Sequence, residues 1–102
     1  MKKLNSIKII AYEYIDKIHG NAYFAVRIYV NGDERVLYEP FQYGYGDQYL
    51  EASKQALIKD GLLEPNYYGL VRYCRENDII LSYRIERRKK EKEVREFGQW
   101  KD

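Results

Sequence analysis

The alternation of apolar and polar side chains is clearest over residues 22–30. One face of this segment is entirely apolar and comprises Ala22, Phe24, Val26, Ile28 and Val30. A period of two residues is typical of a β-strand with one face in the core. Residues 7–18 carry apolar or aromatic residues on both faces, which is typical of a strand buried on both sides or interrupted by a bulge. His19-Gly20-Asn21 between the two segments predicts a turn.

Asn31-Gly32 predicts a hairpin after the second strand. A two-residue loop would pair Ile28 with Arg35 and place a charge on the core face. A three-residue loop with a bulge pairs Ile28 with Val36, and we therefore expect this register. Pro40 cannot donate to the ladder and is expected to end the third strand.

Two helices are predicted after the third strand. Asp47 suits the N-cap of the first, which is expected to run through Asp60, with Gly61 in a left-handed C-cap and Leu62 folded back on Leu57. The inward stripe of this helix would comprise Tyr49, Leu50, Ser53, Ala56 and Leu57. Pro65-Asn66 opens the second, shorter helix, and Asn77-Asp78 closes it. Its inward residues would be Tyr67, Leu70, Val71 and Cys74.

A final strand is predicted over residues 79–86, with Ile79, Leu81, Tyr83 and Ile85 on one face. The charged tail that follows carries Val94, Phe97 and Trp100 at helical spacing, which predicts a short helix. The order β-β-β-α-α-β with a charged tail predicts an α+β fold, in which helices pack on one face of an antiparallel sheet. The 102 residues fit a single domain over 1–102, with residues 1–6 and 98–102 expected to fray.

The composition favours a cytoplasmic protein without metal or cofactor. The one cysteine, Cys74, cannot form an intramolecular disulfide or share a zinc ion with a second thiol. We expect it to be a buried apolar residue in a reducing compartment. The longest apolar run after the N-terminal lysines is Ile9-Ile10-Ala11, which is too short for a signal peptide or a membrane span.

No sequence motif points to catalysis. The only histidine, His19, lies in a turn with no serine or cysteine nearby to activate. Gly44-Tyr45-Gly46 begins like a dinucleotide-binding fingerprint, but Tyr49 stands where the third glycine belongs. We therefore expect the protein not to be an enzyme.

The glycine and tyrosine loop after Pro40 is the first candidate for partner binding. Its candidate residues are Tyr43, Gly44, Tyr45, Gly46, Asp47 and Tyr49. Exposed tyrosines around a helix N-terminus could bind a polar group there, although Asp47 would occupy that end itself. The alternative is a purely structural turn, with glycines for positive φ, aromatics in the core and Asp47 as the cap.

The segment 84–95 is the second candidate, because it concentrates positive charge in a chain of net charge +2. Its seven basic residues are Arg84, Arg87, Arg88, Lys89, Lys90, Lys92 and Arg95. They could contact nucleic-acid phosphates, with Tyr83, Phe97 and Trp100 available for stacking. The interleaved glutamates favour instead a solvated surface with intrahelical pairs, such as Glu91 with Arg95.

A third candidate is a sheet face lined by tyrosines. If Tyr23, Tyr29 and their neighbours lie on an uncovered face, that face would be a protein interface or a homodimer surface. The alternative is that the helices cover it.

Two resemblances bear on function. Residues Pro40-Phe41-Gln42-Tyr43-Gly44-Tyr45-Gly46-Asp47-Gln48-Tyr49, after a strand that begins Gly20-Asn21-Ala22-Tyr23-Phe24, resemble small uncharacterised bacteriophage and prophage proteins. This resemblance covers about a third of the chain and implies a setting but no mechanism. Residues 22–60 are also similar in predicted order to the double-stranded-RNA-binding domain, and Ala52-Ser53-Lys54-Gln55-Ala56 resembles its final helix. This chain departs from that domain by starting with a strand and by placing Asp47 and Glu51 where its lysine cluster would stand.

The leading hypothesis is therefore a non-enzymatic accessory protein of phage type that binds a host or phage macromolecule, with a protein as the expected partner. The alternative is a nucleic-acid-binding protein that uses residues 84–95.

Overall fold

The computed structural model describes residues 4–99, which form a four-stranded sheet and three helices. The strands are β1 (Ser6–Asp16), β2 (Asn21–Val30), β3 (Arg35–Tyr43) and β4 (Ile80–Arg87). The helices are α1 (Gln48–Lys59), α2 (Leu70–Glu76) and α3 (Glu91–Phe97). The α+β class is thus confirmed, as is the helix predicted over Val94 and Phe97, whereas Trp100 lies outside the described residues. None of the helices within residues 4–99 has the length and hydrophobicity to span a membrane.

The sheet is mixed rather than antiparallel, with the strand order β3-β2-β1-β4. The first three strands form an antiparallel meander, but β4 pairs with β1 in parallel. The prediction of an all-antiparallel sheet was therefore wrong. The reason is the long connection through α1 and α2, which carries the chain across the sheet and returns it beside β1 in the same direction.

One face of the sheet, which we call the α1 face, is covered by α1 and α2. The alternation of β2 is confirmed, because all five of its predicted apolar side chains are buried there. The rest of this core comes from Ile7, Ile9 and Ala11 of β1 and from Tyr49, Leu57, Leu63, Leu70 and Cys74. The main hydrophobic core therefore lies between the α1 face and the first two helices.

The opposite face, which we call the α3 face, is covered in its middle by α3, so the prediction of helices on one face only was wrong. The Phe97 ring stacks on the Tyr12 ring with centroids 3.7 Å apart. The Arg27 guanidinium lies 4.3 Å from the Phe97 ring, and its Nε donates to the Phe97 carbonyl at 2.9 Å. This second layer explains the apolar side chains on both faces of β1, which pairs with β2 without a register shift.

Gly98 ends α3 at a point of close contact with the sheet. A Cβ at this position would stand 2.7 Å from the Glu39 carbonyl oxygen and 2.8 Å from the Ala25 Cβ. The absence of a side chain therefore allows the helix end to approach β2 and β3 closely. Residues 98 and 99 belong to the segment expected to fray, and within the described part Gly98 is buried.

The β2–β3 hairpin has a four-residue turn, so the expected register was wrong. Val30 pairs with Arg35, and Ile28 pairs with Leu37 rather than with Val36. Asn31 and Gly32 both adopt positive φ, at 51° and 79°. The turn is tied to the start of β1, because the Asn31 Oδ1 accepts the N–H of Asn5 at 2.7 Å and that of Ser6 at 3.1 Å.

This register places Arg35 on the α1 face, the arrangement that the sequence pattern disfavoured. The charge is tolerated because β3 is an edge strand and Arg35 stays exposed. Its Nη2 lies 2.7 Å from the Asp60 carboxylate at the end of α1. A charged residue at the margin of a face thus pairs with the helix instead of entering the core.

The third strand continues past Pro40 to Tyr43, contrary to the prediction that Pro40 ends it. The register shifts between the pairs Val26–Glu39 and Phe24–Gln42, so Pro40 and Phe41 both oppose Ala25 in a β-bulge. Proline is compatible with this position because an edge strand at a bulge needs no ladder hydrogen bond from it.

The end of α1 confirms the predicted cap. Gly61 has a φ of 78°, and the Leu62 N–H donates to the Leu57 carbonyl at 2.9 Å, as in a Schellman motif. At the other end, Asp47 holds the N-cap position without a side-chain cap hydrogen bond. The Gln48 Oε1 instead accepts the Tyr45 N–H at 2.8 Å.

The second helix begins at Leu70, later than predicted. The Asn66 Oδ1 accepts the Tyr68 N–H at 3.0 Å, and this local turn competes with helix formation. Leu70 and Cys74 are buried as expected, but Tyr67 and Val71 are exposed, so their inward assignment was wrong. The preceding loop is held by the buried Lys54, whose Nζ donates to the Asn66 carbonyl at 2.7 Å.

Candidate functional site

The structure divides the predicted binding loop between core and surface. Tyr49 is 5% exposed and belongs to the main core on the α1 face. Gly44 is also buried, whereas Tyr43 and Tyr45 are 58% and 46% exposed. Gly46 and Asp47 are exposed at the start of α1. Of the six candidate residues, only the two tyrosines at 43 and 45 therefore present large side chains to solvent.

The two glycines of this loop serve different purposes. Gly46 has a φ of 58°, which fits the expected left-handed conformation. Gly44 is required instead because of close packing, since a Cβ there would lie 2.4 Å from a ring carbon of Phe24. Its N–H donates to the Ala22 carbonyl at 3.0 Å and keeps the loop against the end of β2.

Four aromatic rings form a continuous cluster at this end of the sheet, on the α3 face. We call Tyr23, Phe41, Tyr43 and Tyr45 the aromatic cluster. Tyr23 stacks on Phe41 with centroids 5.0 Å apart, and it meets Tyr43 edge to face at 5.8 Å. Tyr43 in turn meets Tyr45 edge to face at 5.2 Å. These distances are typical of favourable aromatic pairs.

The rings at both ends of the aromatic cluster are also held by polar contacts. The Tyr45 hydroxyl lies 3.4 Å from the Gly20 carbonyl oxygen and donates to it across the loop between β1 and β2. The Arg95 guanidinium lies 4.1 Å from the centroid of the Phe41 ring. A hydrogen bond with the Tyr45 hydroxyl raises the pKa of Tyr43 above its ordinary value. These contacts within the chain thus fix the positions of the exposed tyrosine rings.

The sequence pattern indicated Tyr43 and Tyr45 but not Phe41, which belongs to the same cluster through its stacking on Tyr23. Tyr23 was assigned to a separate candidate, the tyrosine-lined face. The two candidates meet because Tyr23 pairs with Tyr43 across the β2–β3 ladder. That pairing depends on the bulge at Pro40, and the hairpin turn alone would not have revealed it.

The rest of the tyrosine-lined face is divided by α3. Tyr29 lies on the far side of that helix from the aromatic cluster, and the Lys8 Nζ stands 5.8 Å from its ring centroid. An open depression of about 500 Å³ adjoins this ring. Its lining includes Ser6, Lys8, Ile10, Tyr29, Ile80 and Ser82. The face is therefore partly covered, with the aromatic cluster and the depression beside Tyr29 left open.

Most basic side chains of the segment 84–95 are neutralised by glutamates. The ion pairs are Arg84–Glu86, Arg87–Glu13, Arg88–Glu93, Lys92–Glu96 and Arg95–Glu91, at 2.7 to 3.9 Å. The predicted Glu91–Arg95 pair is confirmed at 2.7 Å. Lys89 and Lys90 form no such pair with another residue in the range 4–99.

The basic residues also point in different directions. Arg87 pairs with Glu13 on the α1 face, whereas Arg88 lies over the Tyr12 ring on the α3 face at 4.6 Å. The hydrogen bond from Arg88 to Glu93 raises the pKa of that guanidinium further. The segment is therefore a set of local ion pairs on two faces rather than one continuous positive surface.

The single histidine and the single cysteine of the chain lie in different parts of the fold. The His19 Nδ1 lies 2.8 Å from the Asp16 Oδ2 in the exposed β1–β2 turn, and this hydrogen bond lowers the pKa of Asp16. No group of three or more metal-ligating side chains occurs in this part of the chain. Chemistry at Cys74 is disfavoured as well, because burial raises the pKa of its thiol to about 11.

This burial predicts a protected thiol. At pH 8 the Cys74 thiol of the folded protein should react with an aromatic disulfide reagent at least about a hundredfold more slowly than in urea, since a pKa two units higher leaves a hundredfold less thiolate. The folded state binds the thiol proton of Cys74 more tightly than the unfolded state does. The free energy of unfolding therefore includes a contribution from this proton below pH 9, and that contribution is lost as the pH rises towards 11. Stopped-flow absorbance measures the reaction, and equal rates in both states would contradict the burial.

Compared with known proteins, the chain matches no protein-family model, no curated protein and no solved structure. Function is accordingly inferred from the geometry of the surface.

Proposed function

We propose that this protein is a non-enzymatic accessory protein that binds another protein through the aromatic cluster. The observation that carries the proposal is the contact between Tyr43 and Tyr45, which are both about half exposed. Tyr43 also packs against Tyr23, and Tyr23 in turn stacks on Phe41. The bacteriophage or prophage setting implied by the resemblance of residues 40–49 is part of the same proposal.

Fixed aromatic side chains suit protein recognition for physical reasons. Tyrosine offers a large contact area, loses little conformational entropy on binding and carries a hydroxyl that can pair at the rim. Residues that dominate binding energy are enriched in tyrosine, tryptophan and arginine. Arg95 rests on Phe41 and is paired with Glu91, so a polar ion pair lies beside the exposed rings on the same surface.

A protein partner is favoured over a nucleic acid because of the charge distribution. Binding to phosphates depends on basic side chains that are free to displace counterions. Five of the seven basic residues of the segment 84–95 instead pair with glutamates. The nucleic-acid alternative therefore rests mainly on Lys89 and Lys90.

The proposal is tested by replacing both exposed tyrosines of the aromatic cluster with alanine. Proteins captured from the cells in which this chain is made are quantified by mass spectrometry for the wild type and for Tyr43→Ala/Tyr45→Ala. We expect the captured amount of the specific partner to fall at least tenfold in the variant. Truncating central aromatic anchors lowers the binding free energy by about 2 kcal/mol or more. Circular dichroism confirms that the variant is folded.

The matched control is Tyr67→Ala/Tyr68→Ala, which removes two exposed tyrosines from the loop before α2 and should leave capture unchanged. Capture that survives the loss of Tyr43 and Tyr45 would refute the proposal. Capture that disappears after nuclease treatment would support the nucleic-acid alternative, and Lys89→Glu/Lys90→Glu should then abolish it.

A further inference from the structure

The outer edge of β4 carries backbone groups that pair with no other strand of the sheet formed by residues 4–99. The Ile80 N–H donates to the Asn5 carbonyl at 3.0 Å, and the Arg88 N–H donates to the Glu13 carbonyl at 2.7 Å. The backbone N–H and C=O groups of successive residues in a strand point in opposite directions. In β4, those of the even-numbered residues therefore point towards β1. The N–H and C=O groups that face the open edge are therefore those of Leu81, Tyr83, Ile85 and Arg87.

The two edges of the sheet differ in how they are protected. On β3, Pro40 and the bulge interrupt the ladder, which is a common way to prevent unwanted pairing. The eight residues of β4 contain neither proline nor glycine, and they pair with β1 in an unbroken register. Their apolar side chains are also accessible, with Ile80 75%, Tyr83 47% and Ile85 38% exposed. An edge of this kind can accept another strand.

We propose that a second copy of this chain pairs with β4 in antiparallel orientation and extends the sheet to eight strands. A twofold axis makes such pairing reciprocal, so that every contact occurs twice. With Ile85 opposite Ile85 of the second copy, Arg84 stands opposite Glu86 of the second copy, and Glu86 stands opposite its Arg84. Opposite charges at directly facing positions stabilise a strand pair.

Charge selects this register over the neighbouring ones. A shift that centres the axis on residue 84 would place two arginines directly opposite each other, which is unfavourable. A shift that centres it on Tyr83 would place Arg84 opposite Ser82 and leave Glu86 opposite Ile80. Of these three registers, the one centred on Ile85 pairs Arg84 with Glu86, and it also brings Tyr83 opposite Arg87, where a cation–π contact is available.

The self-complementary charge is the reason for choosing a second copy as the occupant rather than an extended segment of another protein. Arg84 and Glu86 already lie 3.2 Å apart on the α3 face of one chain. In the dimer, Arg84 and Glu86 of both copies would form a network of four side chains, in which each charge lies between two opposite charges. Because the aromatic cluster lies on β2 and β3, away from this edge, the dimer does not depend on the proposed partner binding.

Charge exchange tests the pairing in the full chain. Sedimentation velocity from 1 to 200 μM should show the wild type at twice the 12.3 kDa of one chain. Arg84→Glu and Glu86→Arg should each weaken the dimer at least tenfold, because each places like charges opposite each other. A mixture of these two variants, and also the double exchange Arg84→Glu/Glu86→Arg, should restore the dimer.

Two controls accompany the charge exchange. Thermal melting should show that the single variants stay folded, because the Arg84–Glu86 pair is exposed and contributes little to stability. Lys92→Glu, a charge reversal on α3, should leave the dimer intact. A monomeric wild type at 200 μM, or a dimer that is insensitive to Arg84→Glu, would overturn the proposal.

Discussion

Phe97→Ala should lower the free energy of unfolding by about 3 kcal/mol. Truncating a buried phenylalanine removes its transfer free energy and leaves a cavity, at a cost of about 3–5 kcal/mol. Here the ring stacks on Tyr12 and contacts the guanidinium of Arg27. We expect the lower end of that range, because a shift of the seven-residue helix α3 towards the sheet would fill part of the cavity. Urea unfolding followed by circular dichroism measures the change.

The control for this variant is Tyr67→Ala, which truncates a fully exposed ring. Its effect should stay within about 0.5 kcal/mol, as for most surface substitutions. If Phe97→Ala also changed stability by less than about 1 kcal/mol, α3 would not be a structural layer of this fold. The pair of variants thus tests the layer on the α3 face, which the sequence pattern did not reveal.

Gly44→Ala should destabilise the protein by about 1–3 kcal/mol through overpacking. The added Cβ would lie 2.4 Å from a ring carbon of Phe24 and 2.7 Å from the Gln48 side-chain oxygen. Phe24 belongs to the main core and cannot move without disturbing it. We expect a lower urea midpoint with an unchanged slope, because the compactness of the native state stays the same.

Gly69→Ala provides the matched comparison, since a Cβ there meets no atom within 4 Å and the residue has a negative φ of −64°. Alanine stabilises the protein by lowering the conformational entropy of the unfolded chain. It also destabilises the protein, because it is a poorer N-cap for α2 than glycine, so the two effects oppose each other. The net change should stay within about 0.5 kcal/mol. Equal effects at positions 44 and 69 would show that close packing against Phe24 is not the reason for glycine at position 44.

The two proposed surfaces would combine in one assembly. The β4 edges would meet at the twofold axis, and the aromatic clusters lie on the β2 and β3 side of each chain. A dimer would therefore present two copies of the aromatic cluster to its partner. If the partner also has two binding sites, the second binding event becomes intramolecular and the overall affinity rises without new contacts.

Local sequence signals were sufficient to predict most of the individual strands and helices. The strict alternation of residues 22–30 identified β2, because one face of that strand is wholly buried. Gly61 and Leu62 identified the end of α1, since a left-handed glycine followed by an apolar residue is a local motif. Buried Val94 and Phe97 likewise match the helical spacing that was predicted for the tail.

Contacts between residues far apart in the chain determined the hairpin register and the length of β3, which the local signals did not. The hairpin register depended on Asn31 bonding to β1 and on Arg35 reaching Asp60, two partners that are about 25 residues away in the chain. The continuation of β3 past Pro40 depended on its place at the sheet edge, where a missing N–H carries no cost. Neither fact can be read from the residues next to the turn.

The candidate site shows the same division between local and tertiary information. The unusual composition of residues 40–49 drew attention to Tyr43 and Tyr45 without any structure, because glycines between aromatics are rare in a core strand. Their union with Tyr23 and Phe41 required the bulge and the β2–β3 ladder. The burial of Tyr49 on the opposite face was instead predicted by its helical spacing with Ser53 and Leu57, which are buried as well.

Periodicity and capping chemistry therefore determined the α+β class and most of the individual strands and helices, because both act over a few residues. Strand direction, the helix on the second face of the sheet and the composition of the aromatic cluster depended on the tertiary structure. These features arise from pairs of residues far apart in the chain, whose contact is favourable only after the sheet has brought them together.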